Sequence, residues 1–259
     1  MVFANNPIWF NDIPLDTPTV FQAAQMSEDV YNPYNKRNTK LDGGWERIKS
    51  MSGVHFENEE TDFQSALYSR TVDGKTEYTF ATAGTASLQD AKEDATQLVG
   101  TSGQYAISVK TAKDVVRNLP IGAEVTFTGH SLGGGTASAN ALALRKYAIT
   151  FNAAGLSSFT KDNLKLASVK STKIDAFAIS GEAITTYQAI IGLKPEGKMH
   201  WLQGEFSPPT YLNPMPLQRG LNHTMDYVFR ALNKAGHLPS DKPEVQAKTA
   251  TTYGTTPTP

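Results

Sequence analysis

Ser131 is the residue in this chain whose neighbours are best suited to chemistry. It lies in the run Gly129-His130-Ser131-Leu132-Gly133, which fits the pattern G-x-S-x-G. A side chain at either glycine position would collide with a sharp turn or with the neighbouring strand, so the two glycines let the chain reverse at the serine. The pattern therefore predicts that Ser131 is a nucleophile exposed on a tight strand-to-helix turn, with a glycine-rich turn of no catalytic role as the alternative.

The residues on both sides of this motif have the composition that it requires. Residues 124–128 are mostly β-branched or aromatic and predict a strand, and residues 134–144 are rich in small residues and predict a helix. The positive end of that helix would point at the serine, and the N–H of Leu132 would face an oxyanion formed there. A second oxyanion donor is expected from Thr85, at the end of the predicted strand 77–83, although an ordinary strand-end turn is the alternative there.

A serine hydroxyl becomes a useful nucleophile when a histidine removes its proton, and the chain contains five histidines. His223 is favoured because it directly precedes the last predicted helix, where a loop can reach over the edge of a sheet. His200, in a long predicted loop, is the runner-up. His55 is expected to be structural or exposed, and His130, adjacent to Ser131, is expected to support the turn. His237 lies where the ordered fold is expected to end.

The histidine in turn needs a carboxylate, which in this architecture falls between the serine and the histidine along the chain. It should lie after the C-terminal end of a strand, at the same sheet edge as the serine. Glu182 meets this requirement because it follows the predicted strand 173–179, and Asp162 is the runner-up. Asp175 begins that strand and is expected to be a solvated residue at the opposite edge. Three further acids are set aside because they lie in loops or on a helix: Glu196, Glu205 and Asp226.

The bulk composition excludes several classes of function. The 259 residues carry a formal net charge of −1, which gives no electrostatic case for nucleic acid or an anionic membrane surface. The absence of cysteine excludes disulfides, thiolate catalysis and cysteine zinc sites. No apolar run approaches the roughly 20 residues of a membrane span, and the N-terminus does not resemble a secretory signal. We expect a soluble protein that requires no metal or cofactor.

The order of predicted elements indicates an α/β fold. Strands alternate with helices from residue 77 onward, which predicts a mainly parallel central sheet flanked by helices, in one domain over residues 1–239. Residues 240–259 are expected to form a flexible tail, and residues 183–216 a long loop that either covers the active site or fills the core. The helices are expected at residues 19–31, 88–98, 105–119 and 225–234, and further strands at 148–153 and 173–179.

Five segments together resemble the class 3 lipases, and most closely their bacterial phospholipase A1 branch. They are the strand end 83–85, the strand-to-helix turn 129–134 (the elbow), and the segments 149–156, 180–185 and 223–228. The resemblance covers roughly residues 20–235. Ala83 stands where the common lipase form has arginine, and Glu182 stands where most class 3 lipases have aspartate.

This resemblance implies an α/β-hydrolase fold, with Ser131 as nucleophile, Glu182 as acid, His223 as base and Thr85 as oxyanion residue. The implied activity is hydrolysis of a phospholipid ester through an acyl-enzyme. Triacylglycerol lipase, general carboxylesterase and an inactive binding module on the same scaffold are the alternatives. The resemblance also implies a membrane-surface substrate, export from a bacterium without a cleaved signal, and control by a cognate accessory or immunity protein.

Overall fold

The computed structural model of the protein describes residues 18–32, 41–84, 102–166, 173–205 and 216–239. Within these ranges, short strands and a long hairpin precede an alternating series of strands and helices. The strands are β1 Glu46–Arg47, β2 Glu57–Asn58, β3 Phe63–Val72, β4 Lys75–Thr82, β5 Val125–His130, β6 Tyr147–Phe151, β7 Ile174–Ile179 and β8 Lys198–Leu202. The helices are α1 Val20–Asp29, α2 Ser102–Asn118, α3 Leu132–Leu144, α4 Ser158–Asn163, α5 Ala183–Ile190, α6 Pro216–His223 and α7 Met225–Lys234.

The strands form one sheet in the order β1-β3-β4-β5-β6-β7-β8, with β2 paired to β3. Strands β4 to β8 run parallel to one another, whereas β1, β2 and β4 are antiparallel to β3. The predicted mainly parallel sheet is therefore confirmed. Because parallel strands end on the same side, the C-terminal ends of β4 to β8 form one edge, at which the elbow lies.

Helices cover both faces of the sheet, and each face has its own apolar core. On one face, α2 and α3 pack over side chains such as Phe80 and Phe127. On the other, α1 and α7 pack over Phe151 and Phe177. All six residues of the central strand β5 are buried, as expected for a strand covered on both sides. The sheet is thus a rigid platform whose C-terminal edge carries the candidate site.

Most of the elements expected from the sequence are present, with small shifts in their ends. The expected helix 19–31 is α1, whose first turn is closed by a capping box between Thr19 and Gln22. The expectations for helix 88–98 and for the tail 240–259 lie outside the described residues. Among the helices that the structure describes, none is both long enough and apolar enough to cross a membrane.

The prediction of one long loop over residues 183–216 is wrong for its described part. Residues 183–190 form α5 and residues 198–202 form β8, the strand at the end of the parallel series. The sequence suggests a continuous loop because of Gly192, Pro195 and Gly197, but these residues lie only in the short connection between α5 and β8. Leu202 is the one fully buried residue of β8, so the strand carries little of the alternating apolar pattern that would predict it.

Candidate active site

Ser131 lies on the sharp turn between β5 and α3. Its backbone has φ 59° and ψ −128°, a conformation that residues other than glycine rarely adopt. The residue is only 1% exposed, and its Oγ has no hydrogen-bond partner among the described residues. A strained, buried hydroxyl without a partner is not explained by packing, and it is the state expected of a nucleophile that awaits a base and a substrate.

The close approach of backbone segments around the serine explains the glycines of the motif. A Cβ atom at Gly129 would lie 2.3 Å from the carbonyl oxygen of Gly133. A Cβ atom at Gly133 would lie 2.2 Å from the carbonyl oxygen of Thr82, at the end of β4. Both distances are shorter than real Cβ contacts, so any larger residue would force the turn away from the neighbouring strand.

Glu182 and His223 form a buried pair at the same sheet edge. The distance from His223 Nδ1 to Glu182 Oε2 is 2.6 Å, and Glu182 is fully buried. Glu182 follows β7 and is the N-cap of α5, so its carboxylate also accepts the backbone N–H groups of Ile184 and Thr185 and the Thr185 hydroxyl. These donors hold the carboxylate in place.

The other ring nitrogen of His223, Nε2, is buried and has no hydrogen-bond partner in the described part of the chain. The His223 ring lies 4.7 Å, centroid to centroid, from the ring of His130, which directly precedes Ser131. The fold therefore brings an oriented imidazole next to the strand that delivers the serine. A hydroxyl and an imidazole nitrogen, neither bonded to any residue that the structure describes, lie at one edge of the sheet.

The runner-up residues are placed elsewhere. Asp162 is exposed on α4. His200 lies in β8 rather than in a loop, with its Nε2 2.5 Å from Asp175 Oδ1 and its ring stacked on Phe177.

The expectation of a solvated Asp175 is wrong because its carboxylate is buried and accepts hydrogen bonds from His200 and Tyr147. Burial acts to raise the pKa of Asp175, but these hydrogen bonds outweigh it and lower the pKa.

The expected oxyanion residues are described only in part. Leu132 is the first residue of α3, so its N–H belongs to the first turn, whose N–H groups have no intrahelical acceptor. Thr85 lies outside the described residues. The segment that leads to it does contact the elbow, since a Cβ at Gly133 would lie 2.8 Å from the backbone nitrogen of Gly84.

Sequence reasoning did not find two residues of the site, Tyr31 and Asn152. The Tyr31 hydroxyl accepts the N–H of Gly84 at 2.8 Å and lies 3.5 Å from His130 Nδ1. Burial raises the pKa of Tyr31 to about 12, against a smaller opposing effect of the Gly84 N–H. Asn152 follows β6 with φ 42°, and its amide contacts both β7 and α6. The one sequence feature that pointed to Asn152 is its position directly after a buried strand, because asparagine tolerates the positive φ of a turn there better than most residues.

His130 makes the stability of the protein depend on pH. Burial, helped by the neighbouring His223, lowers the pKa of His130 from 6.5 to about 3. The unfolded chain therefore binds a proton at His130 below about pH 6.5 that the folded chain does not bind, so stability falls as the pH falls towards 3. From the shift of His130 alone, the free energy of unfolding should decrease by about 2 kcal/mol between pH 7 and pH 5.

Denaturant unfolding of the wild type and of His130→Gln at both pH values measures this effect. The glutamine variant should lose less stability on acidification, because it carries no titrating group at this position. Equal losses in the two proteins would contradict the assignment of His130 as a buried neutral histidine.

Residues 22–225 match the family of Tle-like phospholipase domains, which is described as phospholipase-like. The chain is 28% identical over 194 residues to an extracellular phospholipase A1 of Serratia liquefaciens, covering 70% of this chain. It spans only 58% of the length of that relative.

Two solved lipase structures share the fold. The triacylglyceride lipase of Rhizomucor miehei is 13% identical with a TM-score of 0.50, over 71% of this chain and 78% of the lipase. The Lip2 lipase of Yarrowia lipolytica is also 13% identical with a TM-score of 0.50, over 86% of this chain and 93% of the lipase. At this identity the likeness concerns the fold alone, and it confirms the predicted α/β-hydrolase architecture.

Proposed function

The chain belongs to the family of Tle-like phospholipase domains, and we propose that it cleaves an acyl ester of glycerophospholipids as a phospholipase A1. In this proposal Ser131 is the nucleophile, His223 the general base and Glu182 the acid that orients the base. The observation that carries it is the buried 2.6 Å pair of His223 and Glu182, whose remaining imidazole nitrogen has no partner within the described ranges.

Acylation would use this arrangement directly. His223 Nε2 takes the hydroxyl proton of Ser131 while Oγ attacks the ester carbonyl carbon, and the carbonyl oxygen becomes an oxyanion. The N–H of Leu132 and the Thr85 N–H or hydroxyl would donate to that oxyanion. The imidazolium formed at His223 is stabilised by Glu182, and it then protonates the leaving alcohol, the lysophospholipid, as the ester C–O bond breaks.

Deacylation repeats the same steps with water. His223 Nε2 removes a proton from a water molecule, which attacks the acyl-serine carbonyl and forms a second oxyanion at the same donors. Collapse of this intermediate breaks the bond to Ser131 Oγ, which receives the proton back from His223, and releases a fatty acid. Each half-reaction has two proton transfers through His223, and the free enzyme is restored only after both.

Phospholipid is favoured over triglyceride as the substrate by the family matched and by the name of the bacterial relative. The test is mass analysis of the products from a phosphatidylcholine with different acyl chains at its two positions. We expect release of the sn-1 fatty acid and a lysophospholipid that retains the sn-2 chain. Faster cleavage of triglyceride, or release of the sn-2 chain first, would contradict the A1 assignment. Ser131→Ala serves as the blank.

Two exposed apolar side chains support a substrate that lies in a lipid surface. Phe159 on α4 is 64% exposed and Ile190 at the end of α5 is 78% exposed. Helix α4 follows β6 and α5 follows β7, so both residues lie on elements that leave the sheet at the edge where Ser131 lies. We propose that this rim, Phe159 and Ile190, inserts into the phospholipid surface and brings the site to the ester.

Replacing Ile190 by serine should reduce activity on phospholipid vesicles about tenfold and leave activity on a short soluble ester unchanged, because each lost apolar contact weakens only surface binding. Ile121→Ser is the matched control. Ile121 is fully exposed, but it precedes β5 and so lies towards the opposite edge. Equal losses in the two variants, or an equal loss on both substrates, would contradict the role of the rim.

Export from a bacterium and a cognate accessory or immunity protein stay part of the proposal, on the family resemblance alone. An immunity protein would be detected as a partner that suppresses hydrolysis of the soluble ester by the purified chain. The candidates are the products of the neighbouring genes in the source organism. If none of them suppresses hydrolysis, this part of the proposal fails and the catalytic assignment is unaffected.

A further inference from the structure

The end of α6 is capped by two side chains from the sheet. His223 is the last residue of this helix, and the terminal carbonyl groups of a helix lack intrahelical donors. Asn152 Nδ2 donates to the carbonyl oxygens of both Asn222 and His223, each at 3.1 Å. His130 Nε2 donates to the carbonyl oxygen of His223 at 2.6 Å. Asn222 and His223 are both buried, so these side chains replace the water that would otherwise satisfy a helix end.

Both capping side chains are themselves held by the fold. Asn152 Oδ1 accepts the backbone N–H of Ile179 at 2.9 Å, so its amide connects the ends of β6 and β7 to α6. Because a carbonyl group only accepts, His130 must carry its proton on Nε2, and Nδ1 is then the acceptor facing the Tyr31 hydroxyl. The Tyr31 hydroxyl also accepts a hydrogen bond from the N–H of Gly84, which directly precedes the expected oxyanion residue Thr85.

We infer that His130 and Asn152 are positioning residues, which fix the His223 imidazole by capping the helix that carries it. The inference rests on the proposed function, since it assigns a role to these residues through the base. Glu182 holds the imidazole at Nδ1, and the two caps hold the backbone of the same residue. A ring fixed at both points can direct Nε2 at the serine without relying on the rest of α6.

The protonation state of His130 suits this role. With its pKa lowered to about 3, His130 stays neutral over the pH range in which a serine hydrolase works. Its Nε2–H therefore remains a donor when His223 takes up a proton during the reaction. A charged ring 4.7 Å from His223 would instead oppose the formation of the imidazolium.

The experiment compares kcat and KM of three histidine variants of the full chain on a soluble chromogenic ester. His130→Phe keeps a ring but removes the donor, and His130→Gln restores an N–H donor. His237→Phe is the matched control, because His237 is also buried but lies edge-on to Phe177 on the face covered by α7. Thermal unfolding of each variant confirms that it is folded at the assay temperature.

We expect His130→Phe to lower kcat on the order of a hundredfold with KM within twofold of the wild type. His130→Gln should recover most of that loss, and His237→Phe should keep the wild-type kcat even where it lowers the melting temperature. A loss in His237→Phe as large as that in His130→Phe, or no recovery with glutamine, would reduce the role of His130 to general packing and overturn the inference.

Asn152→Asp tests the second cap and remains informative if His130→Phe does not fold. Aspartate tolerates the positive φ and keeps the oxygen that accepts the Ile179 N–H, but at pH 8 it places a carboxylate oxygen against two carbonyl oxygens. We expect a loss of kcat of at least tenfold at unchanged KM. Wild-type kcat in this variant would overturn the assignment of Asn152. A wild-type protein without esterase activity would defeat the proposed function itself, and the inference with it.

Discussion

Replacing Ser131 by alanine should lower kcat about a millionfold, because the variant lacks the hydroxyl oxygen to which the acyl group is transferred. The fold should survive, since Ser131 Oγ makes no hydrogen bond to any described residue. Kinetics on a phospholipid and on a soluble ester, with the melting temperature measured on the same preparation, test the prediction.

Ser138→Ala is the control for this variant. Ser138 is also a buried serine of the elbow helix, but its hydroxyl donates to the carbonyl oxygen of Gly134 at 2.9 Å and has no proposed role in the reaction. It should keep near wild-type kcat. Activity that survives in Ser131→Ala, at a level above the background of the preparation, would end the assignment of the nucleophile.

Replacing Glu182 by glutamine should lower kcat on the order of ten-thousandfold. The amide has the shape of the carboxylate but only one oxygen, so it can keep the N–H of either Ile184 or Thr185, which different carboxylate oxygens accept. It cannot stabilise the imidazolium at His223, and its NH2 group can face Nδ1 only by forcing the wrong ring tautomer. The stabilisation of the imidazolium and the orientation of the ring are thus lost while the size and shape of the side chain are kept.

Asp162→Asn is the matched control for the acid, because Asp162 was the runner-up and is exposed on α4. It should have wild-type kcat. If Asp162→Asn instead causes the large loss and Glu182→Gln does not, the acid is Asp162 and the pair of Glu182 and His223 is structural.

The parts of the fold that were predictable from the sequence are those with a strong local signal. The motif around Ser131 carries its own geometry, because glycine at 129 and 133 is required wherever backbone segments approach as closely as they do here. Helix α7 and strand β7 follow directly from their apolar patterns. The position of Glu182 then follows from topology, since a residue just after a parallel strand must lie at the edge where the neighbouring strands end.

The parts that were not predictable depend on contacts between distant residues. Asp175 begins a strand and suggests a solvent-exposed acid, but His200 from the neighbouring strand covers it. The capping of α6 by Asn152 joins residues 70 positions apart along the chain. Strand β8 has too few buried residues to show a period, and its pairing with β7 defines it instead. Local sequence patterns do not carry this information.

The most direct test of the catalytic assignment is covalent labelling with a serine-directed fluorophosphonate, followed by mass spectrometry of the peptides. The account predicts one adduct, on Ser131, formed rapidly in the wild type and lost almost entirely in His223→Ala. An adduct on another serine, no adduct at all, or labelling of Ser131 at the same rate without the His223 imidazole would contradict it.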